Sequence, residues 1–361
     1  MNKAQELHHL GQSVWLDNIT REMLDNGTLR HYMNEFAVTG LTSNPTIFDE
    51  AIGNTEAYDG GIRDKAKSGK SGETLFMELA LEDLRRAADL FRPVFDRTDG
   101  VDGWVSMEVS PLLANDTSGS IDAAARIHRQ ADRPNLFVKI PGTPEGVPAI
   151  EESIFNGVPI NVTLLFSREQ YVAAAEAYLR GIERRIAAKR DPRVASVASL
   201  FVSRWDKAVG AKAPPELRNR LGIAIGGCTY RAYRELLASP RWGKLAAAGA
   251  RPQRLLWAST GTKDPKASDT LYVEALAAPD TIDTIPEKTL RAFADHGELK
   301  GVMAEDGGDA EAVLGRFAKA GIDTSALAIQ LQVDGAQAFV KSWRELLIRI
   351  ADKSDALAHV N

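Results

Sequence analysis

Residues 135–143 read Asn-Leu-Phe-Val-Lys-Ile-Pro-Gly-Thr. Apolar residues occupy every second position from Leu136 to Ile140, while Phe137 and Lys139 share the opposite face, because successive side chains of a strand alternate. A strand in a parallel sheet is covered on both faces and is normally apolar throughout. A lysine inside such a strand therefore predicts a polar cavity on one side of the sheet, with Lys139 pointing into it.

This strand is one of eight short apolar or β-branched runs. The predicted strands cover residues 14–18, 38–43, 104–110, 136–140, 160–166, 194–202, 254–260 and 281–285. Helical periodicity occurs at residues 73–91, 121–131, 168–190, 215–238, 310–320 and 333–350. Alternating strands and helices predict parallel βαβ units, so the expected fold is a single α/β (β/α)₈ barrel. A doubly wound open sheet is disfavoured because no glycine-rich dinucleotide motif follows the first strand.

Composition narrows the class of protein. The 361 residues, with no linker-like stretch, predict one domain over 1–361, with extra helices in the long interval 45–103. A net charge of −5 argues against a nucleic-acid binder, and the chain has no apolar run long enough to span a membrane.

Cysteine and histidine usage adds two expectations. The single Cys228 excludes an intrachain disulfide and, with no apolar signal core at the N-terminus, favours the reducing cytoplasm. The six histidines show no metal-ligand spacing, so neither a metal nor another cofactor is expected.

Strand alternation places further polar side chains on the face that Lys139 occupies. The inferred inward set is Asp17, Thr42, Asn44, Ser106, Glu108, Ser110, Lys139, Asn161, Thr163 and Ser259. Most lie toward the C-terminal ends of their strands, where barrel enzymes build active sites. Each polar group left unsatisfied in a core costs roughly 1–3 kcal/mol, so the pattern indicates function rather than packing.

Structural interpretations of single residues remain open. Lys139 could form a buried ion pair with Glu108 or Asp17, and Asp17 could cap the helix that follows it. Asn44 before Pro45 is also typical of a turn and helix start. The polar residues of the fifth strand could be ordinary strand-end hydrogen bonders.

A lysine among apolar groups is disfavoured as a cation. A neutral amine attacks a ketone to form an iminium, which then withdraws electrons from the neighbouring carbon–carbon bond. Such a reaction needs groups that carry protons, and the two inward carboxylates, Asp17 and Glu108, meet that need.

Several motifs resemble those of the transaldolase family, in particular its longer bacterial members. They are residues 11–17, 40–48 with Thr-Ser-Asn-Pro, 105–109 with the glutamate, 135–143 with the lysine, 160–164 and 199–204. The similarity covers most of the chain. The lysine motif and the Thr-Ser-Asn-Pro motif are the most specific.

The resemblance implies roles for the polar residues. Lys139 would be the Schiff-base nucleophile, and Glu108 would move protons through a water molecule held by Thr163. Asp17 would be the acid and base for carbon–carbon cleavage.

It also implies how the substrate is held. Asn44 and Asn161 would hydrogen-bond the dihydroxyacetone moiety, with Ser199 beside it, and Arg204 and Ser259 would bind the phosphate. Phe201 is a further expected substrate-binding residue. Family members often carry a second arginine after the seventh strand; here Lys263 is the expected second cation, which binds phosphate as a point charge. Solvated surface positions remain the alternative for both cations.

The implied reaction transfers a dihydroxyacetone unit from sedoheptulose 7-phosphate to glyceraldehyde 3-phosphate, in the non-oxidative pentose phosphate pathway. The alternatives are a fructose 6-phosphate aldolase, whose members are shorter and tend to carry a tyrosine at the position of Phe201, and a non-catalytic barrel that binds sugar phosphates. The sequence leaves the oligomeric state open between monomer and homodimer.

Overall fold

The computed structural model describes residues 1–358. Eight strands form one closed, all-parallel barrel in sequential order, in which β8 pairs with β1. The strands are β1 Ser13–Asp17, β2 Val38–Thr42, β3 Val105–Glu108, β4 Leu136–Pro141, β5 Ile160–Leu165, β6 Ser196–Phe201, β7 Gln253–Ala258 and β8 Ile282–Ile285. The predicted (β/α)₈ barrel is thus confirmed.

Sixteen α-helices accompany the barrel within the described residues. They are α1 Lys3–His9, α2 Arg21–Asp25, α3 Thr28–Glu35, α4 Pro45–Asn54, α5 Asp59–Lys67, α6 Gly72–Arg97, α7 Thr117–Ala131, α8 Gly146–Phe155, α9 Arg168–Ala187, α10 Ser203–Val209, α11 Leu221–Leu237, α12 Pro240–Ala247, α13 Leu271–Ala275, α14 Glu287–His296, α15 Ala310–Lys319 and α16 Thr324–Ala358. The interval 45–103 holds α4, α5 and α6, as expected. No helix among residues 1–358 combines the length and the apolar character that a membrane crossing requires.

Several predicted elements have other bounds in the structure, and in two of them a left-handed residue marks the difference. The seventh strand, expected to run through Thr260, stops at Ala258 because Ser259 adopts a left-handed φ of 57°. The helix expected over 215–238 begins only at Leu221, after a short 3₁₀ turn and a left-handed Asn219 at φ 59°. In both places a backbone conformation outside the regular element interrupts its hydrogen bonding.

An aromatic layer fills the barrel below its C-terminal mouth. The rings of Trp104 and Phe137 stack at a centroid distance of 4.0 Å, and Trp15 lies 6.3 Å from Phe137. Trp15 fits because its neighbour on β2 is Gly40: a Cβ there would lie 2.7 Å from the indole ring. The predicted inward direction of these three aromatic residues is therefore confirmed, and they form the floor beneath the polar residues.

The last helix, α16, runs across the C-terminal mouth of the barrel and packs against α4, α5 and α6. Trp343 on α16 meets Phe76 of α6 edge to face at 5.2 Å, and Phe76 meets Phe48 of α4 in the same way at 5.3 Å. Apolar packing of this kind anchors α16 over the barrel.

The opposite, N-terminal end of the barrel holds a saturated polar network. Asp102 is 4% exposed and accepts hydrogen bonds from Ser13, from the Trp15 indole at 2.7 Å and from Thr39 at 2.7 Å. Arg254 donates to Ser13 at 2.8 Å. These donors lose their contact with water on folding, so each needs an acceptor inside the protein. The Asp102 carboxylate supplies that acceptor for Ser13, Trp15 and Thr39.

Buried Asp283 on β8 has a different environment. One carboxyl oxygen accepts from Thr260 at 2.9 Å, and the other has no hydrogen-bond partner among the described residues. Burial raises the pKa of Asp283 from 3.8 to about 8, with a further rise caused by Asp17 and an opposing effect of the Thr260 hydroxyl. Between pH 3.8 and about 8, the folded protein therefore keeps a proton on Asp283 that the unfolded chain releases.

The Asp102 network should make a measurable contribution to stability. Replacing Asp102 by Asn turns one acceptor into a donor that faces other donors, so we expect the free energy of unfolding in urea to fall by about 2–4 kcal/mol. Asp99→Asn is the matched control, because that carboxylate is 95% exposed and its surface ion pair contributes under about 1 kcal/mol. Equal effects of the two substitutions would show that the network does not stabilise the fold.

Asp283 should give stability an unusual dependence on pH. Below pH 3.8 the carboxyl is protonated in both states; between 3.8 and about 8 only the unfolded chain ionises, so the folded state loses relative stability as pH rises. Asp283→Asn removes this loss. Between pH 5 and 7, the free energy of unfolding of the variant should therefore rise relative to that of wild type by roughly 1 kcal/mol per pH unit. Urea unfolding at several pH values measures this dependence for both proteins, and Asp122→Asn, at an exposed position on α7, is the control. If the free energies of unfolding of wild type and Asp283→Asn changed in parallel with pH, the prediction would be wrong.

Candidate active site

A cavity of about 650 Å³ opens at the C-terminal mouth of the barrel. Most of the residues predicted from the sequence line it: Asp17, Asn44, Lys139, Thr163, Ser199, Phe201, Arg204, Ser259 and Lys263. Glu108 and Asn161 are buried behind the lining. Because all eight parallel strands end at this mouth, residues far apart in the chain converge there.

Lys139 lies on the floor of the cavity, with 5% of its surface exposed. Its Nζ donates to the backbone carbonyl of Ser43 at 2.9 Å, and Glu108 Oε2 lies 3.5 Å away. A close charge-assisted hydrogen bond is about 2.7–2.9 Å long, so the contact with Glu108 is not a closed ion pair. The amine is therefore buried, held in place and open to the cavity.

Glu108 reaches Lys139 because the two residues are register partners on β3 and β4. Burial raises the pKa of Glu108, and Lys139 opposes that rise. Glu108 Oε1 and Thr163 Oγ1 are both buried and have no hydrogen-bond partner within residues 1–358. These two oxygens retain the capacity to accept or pass a proton beside the lysine.

Asp17 lies at the end of β1 and accepts a hydrogen bond from Thr42 Oγ1 at 2.8 Å. Thr42 is itself 2.6 Å from the hydroxyl of Thr284 on β8. Burial raises the pKa of Asp17, against the lowering effect of Lys139 and then of the Thr42 hydrogen bond. The interpretation of Asp17 as a helix cap is wrong: Thr20 caps α2, its hydroxyl accepting from Met23 N at 3.0 Å.

Asn161 forms a buried link between strands. Its amide donates to Ser106 Oγ at 3.1 Å and its carbonyl accepts from Ser199 Oγ at 2.7 Å. Ser199 lines the cavity whereas Asn161 does not. The structure therefore places Asn161 where it orients Ser199, and it assigns Ser106, which sequence reasoning noted only as inward-facing, to the same link.

Asn44 lines the cavity, but not as a strand residue. β2 ends at Thr42, and the Asn44 side chain caps α4 by accepting from Ile47 N at 3.1 Å. The expectation that Asn44 shares a strand face with Thr42 is thus wrong, and the alternative of a helix start before Pro45 is confirmed. The cap fixes the side chain at the cavity edge.

Cationic side chains gather on one side of the cavity. The Arg204 guanidinium lies 4.9 Å above the Phe201 ring and 5.8 Å from that of Phe339, and burial lowers the pKa of Arg204. The pKa of Lys263 is lowered by the partial loss of water around its amine, and then by the positive charges of Arg204 and Lys207. The clustered positive charge suits a phosphate dianion.

Lys207 also lines the cavity, and sequence reasoning missed it. Its signal was available in the spacing, since Lys207 follows Arg204 by three residues on α10 and therefore lies on the same helix face.

Ser259 reaches the cavity through its backbone conformation. The φ of 57° just after β7 turns its side chain to the mouth. Ser259 thus lies in the cavity as predicted, but it is not a strand residue, and strand alternation does not explain its position. Its hydroxyl lies 2.9 Å from that of Ser203.

The last helix completes the cavity wall. Residues Leu331, Asp334, Gly335, Ala338 and Phe339 of α16 contribute to the lining. Sequence reasoning identified a closing helix over 333–350 but did not place it at the site. Helical periodicity gives an apolar stripe, and it does not say which part of the molecule the stripe covers.

Comparison with known proteins agrees with this geometry. The family model described as Transaldolase/Fructose-6-phosphate aldolase matches residues 14–350. The chain is 46% identical to a protein named Transaldolase from Thermobifida fusca, with 97% of each chain covered. It is 43% identical to a Transaldolase from Parafrankia sp., with 98% of each chain covered, and 38% identical to Transaldolase 2 from Nostoc punctiforme, with 99% covered.

Proposed function

The chain belongs to the transaldolase/fructose-6-phosphate aldolase family, and we propose that it is a transaldolase, a transferase that acts on sugar phosphates. It moves a dihydroxyacetone unit from sedoheptulose 7-phosphate or fructose 6-phosphate to glyceraldehyde 3-phosphate or erythrose 4-phosphate. The observation that carries the proposal is the Lys139 amine, buried beside Glu108 on the floor of a cavity that Asp17 and a cluster of cations also line.

Substrate binding uses the two sides of the cavity. Arg204, Lys207 and Lys263, with the Ser259 hydroxyl, hold the phosphate, which places the ketone of an extended sugar toward Lys139. Asn44 and Ser199 bind the hydroxyls of the dihydroxyacetone moiety, and Asn161 orients Ser199. Phe201 provides an apolar wall and supports Arg204.

Schiff-base formation follows at Lys139. The uncharged amine adds to the ketone carbon, and the carbinolamine loses water to give an iminium. Glu108 supplies the proton that the leaving water needs, with a water molecule held by Thr163 as carrier. A raised pKa in the free protein suits this role, because the carboxyl then holds a proton more readily.

Carbon–carbon cleavage uses Asp17. Its carboxylate removes the proton from the hydroxyl on carbon 4, that carbon becomes an aldehyde, and the electrons of the broken bond enter the iminium to form an enamine. The aldehyde product leaves, a second aldehyde enters, and the same steps run in reverse. The walls formed by α16 and Phe201 limit the access of water to the enamine between the two half-reactions.

We further propose that residues 1–361 work as one domain. The single cysteine is consistent with a reducing compartment such as the cytoplasm. The sugar phosphates are the proposed small-molecule partners. The oligomeric state stays open between monomer and homodimer.

Borohydride in the presence of fructose 6-phosphate should fix a reduced three-carbon adduct on Lys139, because borohydride reduces the iminium to a stable amine. Intact mass and peptide mapping locate the adduct. Lys139→Ala should give none, whereas Lys263→Ala, which changes only the phosphate side, should still be labelled at saturating sugar. An unmodified wild-type protein would instead favour the non-catalytic binding barrel.

The same preparation separates transfer from aldol cleavage. With sedoheptulose 7-phosphate as the donor, release of erythrose 4-phosphate should depend on added glyceraldehyde 3-phosphate in steady state. Free dihydroxyacetone appearing faster than any aldehyde-dependent transfer would reject the transaldolase assignment in favour of a fructose 6-phosphate aldolase.

Glu108→Gln should slow adduct formation by about a hundredfold, because the amide cannot deliver a proton to the leaving water. The thermal melting temperature should change little, since the 3.5 Å contact with Lys139 is long. Rapid-quench trapping and circular dichroism measure the two effects, with the exposed Glu145→Gln after β4 as control. Gross unfolding of the Glu108 variant would favour a structural ion pair instead.

A further inference from the structure

Gln332 connects the closing helix to the ends of two catalytic strands. It lies on α16, is 8% exposed, and its amide nitrogen donates to Gly142 O and to Leu164 O, both at 2.9 Å. Gly142 follows β4, which carries Lys139, and Leu164 directly follows Thr163 on β5. One side chain therefore satisfies two strand-end carbonyls on either side of the proposed proton-transfer site.

The backbone at Leu164 needs such support. Leu164 is buried and has a left-handed φ of 58°, a conformation that costs a branched, bulky residue about 1–3 kcal/mol. The pairing of β5 with β6 is irregular at the same point, between Val162 and Leu165. The sheet ladder alone therefore does not hold the Leu164 carbonyl, and Gln332 supplies its hydrogen bond.

The strained residue bears directly on the site. Thr163 O accepts a hydrogen bond from Gly142 N at 2.7 Å. The backbone of Thr163 is therefore hydrogen-bonded to Gly142 and covalently joined to Leu164, the two residues whose carbonyls Gln332 binds. Thr163 lines the cavity, and its Oγ1 is buried without a hydrogen-bond partner among the described residues. A rotation of the peptide after Thr163 toward extended backbone would displace the Thr163 side chain from its place in the cavity wall that Lys139 shares.

Gln332 does not act by contact with substrate. Leu331 and Gly335, on either side of it, line the cavity, but Gln332 itself does not. At Gly335 a Cβ would lie 3.0 Å from Leu164 Cδ2, so α16 approaches the strand end closely enough for the glutamine to reach both carbonyls.

We propose that Gln332 is a positioning residue: it holds Leu164 in its left-handed conformation and thereby fixes Thr163 for proton transfer at the Schiff base. The inference rests on the proposed function, since it assumes that Thr163 serves the proton-transfer step. Through this contact the last helix, far from the lysine in the sequence, sets the geometry of the reaction.

Gln332→Met keeps the side-chain length and removes both donors. We expect kcat for transfer and the rate of adduct formation to fall about tenfold or more, with KM for fructose 6-phosphate changing less than about threefold. Gln330→Met is the matched control, because Gln330 is exposed on the same helix and bonds only to Asp334 of α16. A Gln332→Met enzyme with the wild-type kcat would overturn the inference.

A double-mutant cycle tests the strain itself. Glycine adopts positive φ freely, so in a Leu164→Gly background the Gln332→Met substitution should cost less than about threefold in kcat. Leu164→Asn, which also tolerates this conformation, replaces Leu164→Gly if the latter does not fold by circular dichroism. An equal loss of kcat in both backgrounds would mean that Gln332 only stabilises the fold, and would overturn the positioning role.

The outcome is separable from that of the proposed function. If wild type forms the borohydride adduct and Gln332→Met forms it at the same rate, the positioning role alone is wrong. If wild type forms no adduct with fructose 6-phosphate, the proposed function is wrong, and the role of Gln332 falls with it.

Discussion

The site depends on how one buried amine is held. Lys139 donates to the Ser43 carbonyl at 2.9 Å, and its contact with Glu108 is longer, at 3.5 Å. A buried charge needs a close, well-hydrogen-bonded partner to repay its loss of water. Here the one short bond is to a neutral carbonyl, so the arrangement orients the nitrogen without sealing it in a salt bridge. Because Glu108 does not close on the amine, Lys139 can react with a molecule bound in the cavity in front of it.

Two buried carboxylates at opposite ends of the barrel, Asp102 and Glu108, are paired differently. At the N-terminal end, Asp102 collects three side-chain donors, and Arg254 joins the network through Ser13. At the C-terminal end, Glu108 and Thr163 each keep a buried oxygen without a partner among the described residues. Saturated networks rigidify a core, whereas unsatisfied groups are costly and concentrate where they have chemical work. Within residues 1–358, Gln12, Asn135 and Gln253 at the N-terminal end also keep an unpaired buried oxygen, so the contrast concerns the two carboxylates: the oxygens of Asp102 are occupied by donors, whereas Glu108 Oε1 has none.

Backbone strain is placed at the reactive end as well. Leu164 and Ser259 both adopt left-handed φ values, of 58° and 57°. Each follows directly on a residue that lines the cavity, Thr163 and Ala258 respectively. Each has external support: Gln332 binds the carbonyl of Leu164, and the Thr260 hydroxyl next to Ser259 is bonded to Asp283. Such conformations persist when their surroundings over-determine them, as they do here.

Charge is also divided across the cavity. Asp17 and Glu108 lie on the side of the lysine, and the pKa of each is raised by burial. Arg204 and Lys263 form the cationic side, where burial lowers the pKa of both. A substrate with a phosphate at one end and a neutral ketone at the other has only one favourable orientation in this field.

The sequence by itself determined the order of strands and helices, the closed barrel, and the inward set centred on Lys139, Glu108 and Asp17. These follow from periods of two and 3.6 residues, which are local properties of the chain. The tertiary structure decided the rest: the Ser43 carbonyl that holds the amine, the turn that brings Ser259 to the mouth, and the contact of Gln332 with two strand ends. Backbone atoms and positive φ angles leave little trace in residue type. The docking of α16 joins segments more than 150 residues apart, and no local pattern encodes such a contact.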